Sequence, residues 1–219
     1  ILLMLMCLRN MTSIRHRYLG QDFTLKGLIG RELSQMTVGV IGTGRIGTRL
    51  ISMLTGFGCR ILAYAPHPNA EAKKHAEYVS LETLYRESDL ITLHAPANAE
   101  TTHMINEDAL AQMKNGVILV NTGRGALIDT AALLHGLDTG KVGGAGLDVI
   151  EEESDLYYYD RREELLHHRD MALLNSYPNV VVTHHMAFYT RQCVETMVRD
   201  SVRGIVADIQ GLKNPWRVC

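Results

Sequence analysis

The chain has 219 residues, of which 46% are hydrophobic and 21% charged, as is typical of a globular domain with its own core. The formal net charge of -2 and the even spread of lysine and arginine argue against a nucleic-acid partner. The apolar opening is too short to span a membrane. The cysteines Cys7, Cys59, Cys193 and Cys219 form no C-x-x-C pair, so we expect buried or free thiols in a reducing cytoplasm.

Residues 1–36 are predicted to form a long helix and an irregular arm. Apolar residues recur at helical spacing from Ile1 to about Tyr18, and Gly20 ends the helix. The polar stretch 21–35 reads as the arm. Because the chain begins at Ile1 inside an apolar helical run, we expect residues upstream of it to be missing.

From Thr37 onward, strand patterns alternate with helix patterns. We predict about seven strands, including those at 37–41, 60–64, 90–94, 116–120, 142–149 and 180–183. We predict helices at 45–57, 80–87, 106–113, 129–139 and 190–210. The strand at 116–120 is hydrophobic on both faces, as in a parallel sheet. The pattern predicts an α/β fold with a doubly wound parallel sheet of Rossmann type, and a surface loop with a short helix at 151–176.

A glycine-rich loop follows the first predicted strand and opens a helix. Its sequence is Gly42-Thr43-Gly44-Arg45-Ile46-Gly47. At such a place, free backbone N–H groups bind the pyrophosphate of a dinucleotide. A glycine turn that only packs the helix on the strand is the alternative, but the placement favours nucleotide binding.

The acid that usually binds the adenosine ribose is absent. An Asp or Glu is expected about 20 positions after the glycine loop, at the end of the second strand, where this sequence has Ala65. Without that carboxylate, repulsion of a 2'-phosphate is lost as well. His67 is an alternative contact for either cofactor, or a solvated loop histidine. We therefore predict NAD as the cofactor, with relaxed selectivity that also allows NADP.

Three further segments carry a family resemblance: Val-Asn-Thr-Gly-Arg-Gly at 120–125, Leu-Asp-Val-Ile-Glu-Glu-Glu at 147–153 and Val-Thr-His-His-Met-Ala-Phe-Tyr at 182–189. Together with the glycine loop and His94-Ala95-Pro96, they resemble the D-isomer-specific 2-hydroxyacid dehydrogenases. The resemblance runs from Ile1 to the last helix. The run at 187–190 resembles the D-lactate dehydrogenase branch.

The resemblance implies a catalytic trio. Arg124 would bind the substrate carboxylate and keto oxygen, Glu153 would pair with a histidine, and His185 would transfer the proton. Glu151 and Glu152 are adjacent alternatives to Glu153. Taken singly, these three residues are unremarkable as a surface arginine, a solvated acid and a core histidine. Their joint occurrence at strand ends favours the catalytic interpretation.

The resemblance also implies a cofactor-binding set beyond the glycines. It comprises Arg45, Ile46, Ala95, Pro96, Thr101, Thr122, Gly123 and Asp148, with Asp148 near the nicotinamide amide. His184 departs from the family pattern, in which most members have proline there. It forms a pair with His185, but no third ligand stands at usable spacing, so we predict no metal site.

For the organisation of the chain, the resemblance implies a dinucleotide-binding domain at 1–189, with 1–36 as helix and dimerisation arm. Residues 190–219 would be the C-terminal helix of a substrate domain that is otherwise missing. We expect a homodimer that acts on a small 2-oxo or 2-hydroxy acid, with D-lactate and pyruvate as the favoured pair. The alternative is a co-repressor-like protein of the same fold that senses NAD(H) without turnover.

Overall fold

The structure is a computed structural model that describes residues 1–165 and 167–217, so Cys219 lies outside the described residues. The chain divides into one compact unit at Ile1–His184 and another that begins at His185. The strands are β1 Thr37–Ile41, β2 Arg60–Tyr64, β3 Glu77–Tyr78, β4 Leu90–Leu93, β5 Val117–Asn121, β6 Val142–Leu147 and β7 Val180–Val182. The helices are α1 Leu2–Leu8, α2 Met11–Leu19, α3 Arg45–Leu54, α4 Leu81–Glu87, α5 Glu107–Gln112, α6 Thr130–Asp138, α7 Arg169–Ser176 and α8 Arg191–Ile209.

The first unit is built on a parallel sheet. In the described part of the chain it has seven strands, in the order β3-β2-β1-β4-β5-β6-β7. The order reverses beside β1, which pairs with β2 on one side and β4 on the other. The predicted doubly wound parallel sheet is therefore confirmed. The sequence did not indicate β3, because its two residues are too few to show a strand period.

Polar side chains cap the starts of two helices, close to the predicted starts at 80 and 106. The Ser80 hydroxyl accepts a hydrogen bond from the backbone N–H of Thr83 at 3.2 Å, and Asn106 accepts one from Ala109 at 3.0 Å. Each bond satisfies an N–H group that has no partner inside its helix. These caps fix where α4 and α5 begin.

The predicted single helix from Ile1 to about Tyr18 is wrong. The structure has two helices, α1 and α2, separated at Asn10, whose φ of 52° is left-handed. Asparagine tolerates this conformation better than most residues, and here its side-chain amide donates to the carbonyl of Ile29 at 3.1 Å. The change of direction lets α1 pack on β5, β6 and β7, whereas α2 has no buried residue.

The sheet is covered on both faces, as parallel sheets usually are. One core contains α1 and α3, represented by Met4, Ile51 and Leu54 against Val38 and Val40. The other core contains α4, α5, α6 and α7 on the opposite face. This double burial fixes the positions of the strands, and therefore of the loops at their carboxyl ends.

The second unit consists mainly of α8. The Thr190 hydroxyl caps this helix by accepting a hydrogen bond from Cys193 N–H at 3.3 Å. After the helix, the Asn214 amide donates to the carbonyl of Gly204 at 3.1 Å. Several apolar side chains of α8 are exposed, among them Val202 and Ile209. Within residues 1–165 and 167–217, none of the helices has the length and apolarity needed to cross a membrane.

Candidate cofactor and substrate site

The predicted site residues of the first unit follow the carboxyl ends of adjacent parallel strands. The glycine loop follows β1, residues 94–97 follow β4, residues 122–125 follow β5, and residues 148–153 follow β6. Parallel strands bring all their carboxyl ends to one edge of the sheet. In doubly wound folds, this edge is where ligands bind, beside the point at which the strand order reverses.

The glycine loop forms a tight cradle. Gly42 has a φ of 93°, and a Cβ there would lie 2.6 Å from the His94 carbonyl carbon. A Cβ at Gly47 would lie 2.0 Å from the Gly42 oxygen, whereas one at Gly44 would meet nothing within 4 Å. The hydrogen bond from Thr48 N–H to Gly44 oxygen, at 2.9 Å, begins α3. The amide groups before it are therefore free to bind phosphate, so the loop fits a dinucleotide.

A cleft of about 460 Å³ joins this helix start to the neighbouring loops. It is lined by Ile46, His94, Ala95, Pro96, Ala97, Thr122, Gly123 and Arg124. The cleft thus brings five predicted cofactor residues together with the predicted substrate arginine. Burial lowers the pKa of His94 to about 4, so this lining residue is neutral near pH 7.

Thr101 shapes the loop after β4. Its hydroxyl donates to the Pro96 carbonyl at 2.6 Å, and its backbone N–H donates to the Asn98 side chain at 3.0 Å. These bonds close the turn that carries Pro96. Thr101 therefore supports the cleft wall, and its predicted direct contact with the cofactor stays a prediction.

Arg124 is exposed on a turn held by Asn121. The Asn121 amide donates to the Arg124 carbonyl at 2.8 Å, and its side-chain oxygen accepts from Gly123 N–H at 3.0 Å. A Cβ at Gly125 would lie 2.0 Å from the Ile150 oxygen, so only glycine allows this loop to approach the loop after β6. The Arg124 guanidinium donates to the Gly123 carbonyl at 2.7 Å and keeps further donors exposed.

The three adjacent acids have different environments. Glu151 accepts hydrogen bonds from the N–H and hydroxyl of Thr130, at 3.0 and 2.6 Å, and lies 2.6 Å from His103 Nε2. Glu152 is exposed with a left-handed φ of 55°, whereas the Glu153 carboxylate accepts from Ile150 N–H at 2.8 Å. The hydrogen bonds to Glu151 thus connect the loop after β6 with the turn at His103 and with the start of α6 at Thr130.

The pKa directions of this pair follow from their contact. Burial acts to raise the pKa of Glu151, but the hydrogen bonds from Thr130 and His103 outweigh it and lower that pKa below its usual value. The same hydrogen bond raises the pKa of His103. Glu151 is thus engaged by His103 and Thr130, and the assignment of the catalytic carboxylate to Glu153 stays a prediction.

Asp148 and Tyr157 lie in the buried part of the same loop. Asp148 is 2% exposed and accepts a hydrogen bond from the Thr183 hydroxyl at 2.5 Å. The ring of Tyr157 packs edge-to-face on His184, with 6.3 Å between ring centroids. Among the described residues, its buried hydroxyl has no hydrogen-bond partner, and burial raises its pKa. No pattern in the sequence marks Tyr157, which stands in a run of three tyrosines.

His185 is the first residue of the second unit, whereas Arg124 and Glu153 belong to the first. It has a left-handed φ of 52°, and its ring packs edge-to-face on Phe188 at 6.4 Å. The catalytic roles of the three residues stay predictions. In the described part of the chain, no group of three histidine, cysteine or acidic residues is arranged to hold a metal.

Comparison with known proteins gives consistent matches. The family model described as D-isomer specific 2-hydroxyacid dehydrogenase, NAD binding domain, matches residues 1–187. A D-specific alpha-keto acid dehydrogenase of Enterococcus faecalis is 43% identical over 203 residues, which cover 93% of this chain and 62% of that protein. An aromatic 2-oxoacid reductase of Clostridium sporogenes is 43% identical over 200 residues, covering 90% of this chain and 60% of the relative.

A solved structure has a closely similar fold. The crystal structure of D-lactate dehydrogenase with NAD+ from Lactobacillus jensenii superposes with a TM-score of 0.91 at 32% identity. The match covers 99% of this chain and 66% of that one. The chain thus spans less than two thirds of the length of each of these three proteins.

Proposed function

Because this chain belongs to the D-isomer-specific 2-hydroxyacid dehydrogenase family, we propose that the protein interconverts a D-2-hydroxy acid and a 2-oxo acid with NAD(H). One observation carries the proposal: Arg124 lines the same cleft as Ile46 at the start of α3. That cleft adjoins the loop suited to the cofactor pyrophosphate. A substrate anion held by Arg124 would therefore lie near bound cofactor.

Arg124 is proposed to bind the 2-oxo acid. Its planar guanidinium matches a carboxylate and an adjacent keto oxygen, and lysine lacks this fork. Asn121 fixes the Arg124 backbone from both sides of the turn. This support holds the backbone from which the guanidinium projects, which is important because catalysis depends on orientation.

By the family resemblance, His185 transfers the proton, and Glu153 provides the carboxylate that pairs with this histidine. When bound, NADH would supply the hydride that reduces the keto carbon, and His185 would donate a proton to the keto oxygen. A carboxylate that accepts a hydrogen bond from the imidazole would hold the ring in the orientation that proton transfer requires. Glu151 is engaged with Thr130 and His103, which supports Glu153 for this role.

The substrate is proposed to be pyruvate, giving D-lactate. The D-lactate dehydrogenase named above supports this pair, as does the sequence of residues 187–190. The other two relatives are named for alpha-keto acids and aromatic 2-oxoacids, so a larger 2-oxo acid is the second candidate. None of the three is named as a co-repressor, and the NAD(H)-sensing alternative has no support.

NAD(H) is the proposed cofactor, and Ala65 leaves NADP(H) open. We further propose a dinucleotide-binding domain at 1–189, a C-terminal segment at 190–219 that belongs to a substrate domain, and a cytoplasmic homodimer paired through residues 1–36. In that arm Leu25 and Ile29 are 84% and 92% exposed, which supports a pairing role.

The test compares His185→Gln with His135→Gln, an exposed histidine on α6. We expect His185→Gln to lower pyruvate reduction about 10²- to 10⁴-fold while the Kd for NADH stays unchanged, because only proton donation is lost. His135→Gln should match the parent. NADH binding without reduction of pyruvate or any larger 2-oxo acid would overturn the enzymatic proposal. Turnover of His185→Gln within a few-fold of the parent would overturn the assignment of His185 as the proton donor.

A further inference from the structure

A second cavity, of about 380 Å³, lies beside the glycine loop. One wall is formed by the first two turns of α3, including Arg45 and Arg49. The other wall is the segment after Ala65, with Asn69, Glu71 and His75. The family-based cofactor set includes only Arg45 of these residues.

The cavity adjoins the place expected for the adenosine ribose. The Gly42 N–H donates to the Tyr64 carbonyl at 2.8 Å, so the glycine loop begins beside the end of β2. The residue at the end of that strand normally contacts the ribose 2'-hydroxyl, and here it is Ala65. One wall of the cavity begins with Arg45 of this loop, and the other begins at Asn69, which follows Ala65 by four positions.

The charge of the lining suits an anion. Arg45 and Arg49 are four positions apart and share one face of α3. Within the described residues, neither guanidinium forms a hydrogen bond or an ion pair. The carboxylate of Glu71 is bound by Lys74 Nζ at 2.7 and 2.8 Å, which neutralises it. The two arginines therefore face a cavity whose one lining acid is already paired with a lysine.

We propose that this protein accepts NADP(H) as well as NAD(H), with the 2'-phosphate of the adenosine ribose bound between Arg45 and Arg49 in this cavity. The inference rests on the proposed function, because it takes the glycine loop as the dinucleotide site. Arginine recognises phosphate through parallel, charge-assisted hydrogen bonds. Ala65 permits the phosphate to enter, whereas an acid at that position would repel it.

Fluorescence titration with NADPH and NADH tests the site on the parent protein, Arg49→Gln and Arg86→Gln. Arg86 is the control because it is an exposed arginine on α4, paired with Glu87 at 3.4 Å and outside the cavity. We expect the parent to bind NADPH within about tenfold of NADH. Arg49→Gln should weaken NADPH about tenfold and leave NADH unchanged, since only the 2'-phosphate loses a partner. Arg86→Gln should change neither.

Ala65→Asp provides an independent check. It should weaken NADPH and keep or improve NADH, because the carboxylate repels the phosphate and accepts the ribose hydroxyl. NADH binding with NADPH bound more than a hundredfold more weakly would overturn this inference and leave the proposed function standing. Equal weakening of both nucleotides by Arg49→Gln would also overturn it. Failure of the folded parent to bind either nucleotide would overturn the proposed function itself.

Discussion

The glycine loop and the connection between β6 and β7 border the same edge of the sheet but are determined in different ways. In the loop, backbone contacts set the geometry, with room for no Cβ at Gly47 and open space at Gly44. In the connection, side chains set the geometry. Glu151 reaches His103 and Thr130, and the Tyr177 hydroxyl donates to Asp138 at 2.5 Å.

The two regions should respond differently to single substitutions. The glycine loop does not tolerate an added Cβ where two of its backbone segments are in contact, because neither segment can move away without disturbing its strand or helix. A side-chain network loses its bonds one at a time. We therefore expect single substitutions at the contacts of the glycine loop to lower stability strongly, and single substitutions in the connection between β6 and β7 to lower it less.

The largest effect is expected from Gly47→Ala. Its Cβ would lie 2.0 Å from the Gly42 oxygen, so the loop must shift, at a cost of about 3 kcal/mol in the free energy of unfolding. NADH binding should be lost. Gly44→Ala is the matched control, because its Cβ meets no protein atom within 4 Å and should change stability by less than about 1 kcal/mol. The measurements are urea denaturation and NADH titration. Equal stability of the two variants would contradict the backbone origin of the cradle.

A smaller effect is expected from Glu151→Ala. It removes the acceptor of the Thr130 N–H and hydroxyl and should lower the free energy of unfolding by about 1–3 kcal/mol. Glu151→Gln keeps an acceptor for Thr130 but loses the charge beside His103. It should therefore be less destabilising than alanine.

The charge of this pair also predicts a pH dependence. The pKa of His103 is raised above its usual 6.5. Its contribution to the free energy of unfolding is therefore complete below pH 6.5 and is lost as pH rises through its pKa in the folded state. The pKa of Glu151 is lowered below 4.5, so its contribution to the free energy of unfolding is lost as pH falls through its pKa in the folded state. The stability difference between parent and Glu151→Gln should thus be largest near pH 5 to 6, on the order of 0 to 1 kcal/mol for so exposed a histidine. A difference that is constant from pH 5 to 8.5 would exclude this ion pair as its source.

The sequence predicted the loop and most of the sheet because their signals are local. Glycines at fixed spacing after the β-branched strand β1 indicate one backbone geometry, and the caps Ser80 and Asn106 mark helix starts. The break at Asn10 was missed because helical periodicity continues across it. Glu151 and His103 are 48 positions apart, so no local pattern could separate Glu151 from Glu153. The cavity beside Arg49 likewise depends on tertiary packing.

The smallest effect is expected from Tyr157→Phe, and its sign is opposite to the others. Within the described part of the chain, the Tyr157 hydroxyl is buried without a hydrogen-bond partner, and burying such a group costs free energy that phenylalanine does not incur. The ring contact with His184 is kept, because phenylalanine has the same ring. We therefore expect the free energy of unfolding to rise by up to about 1 kcal/mol, as measured by urea denaturation. Tyr159→Phe is the control, since that side chain is 69% exposed and should have no effect. Destabilisation by Tyr157→Phe would reveal that the hydroxyl forms a bond in the folded protein, and that the connection is held by one more side-chain interaction than its contacts indicate.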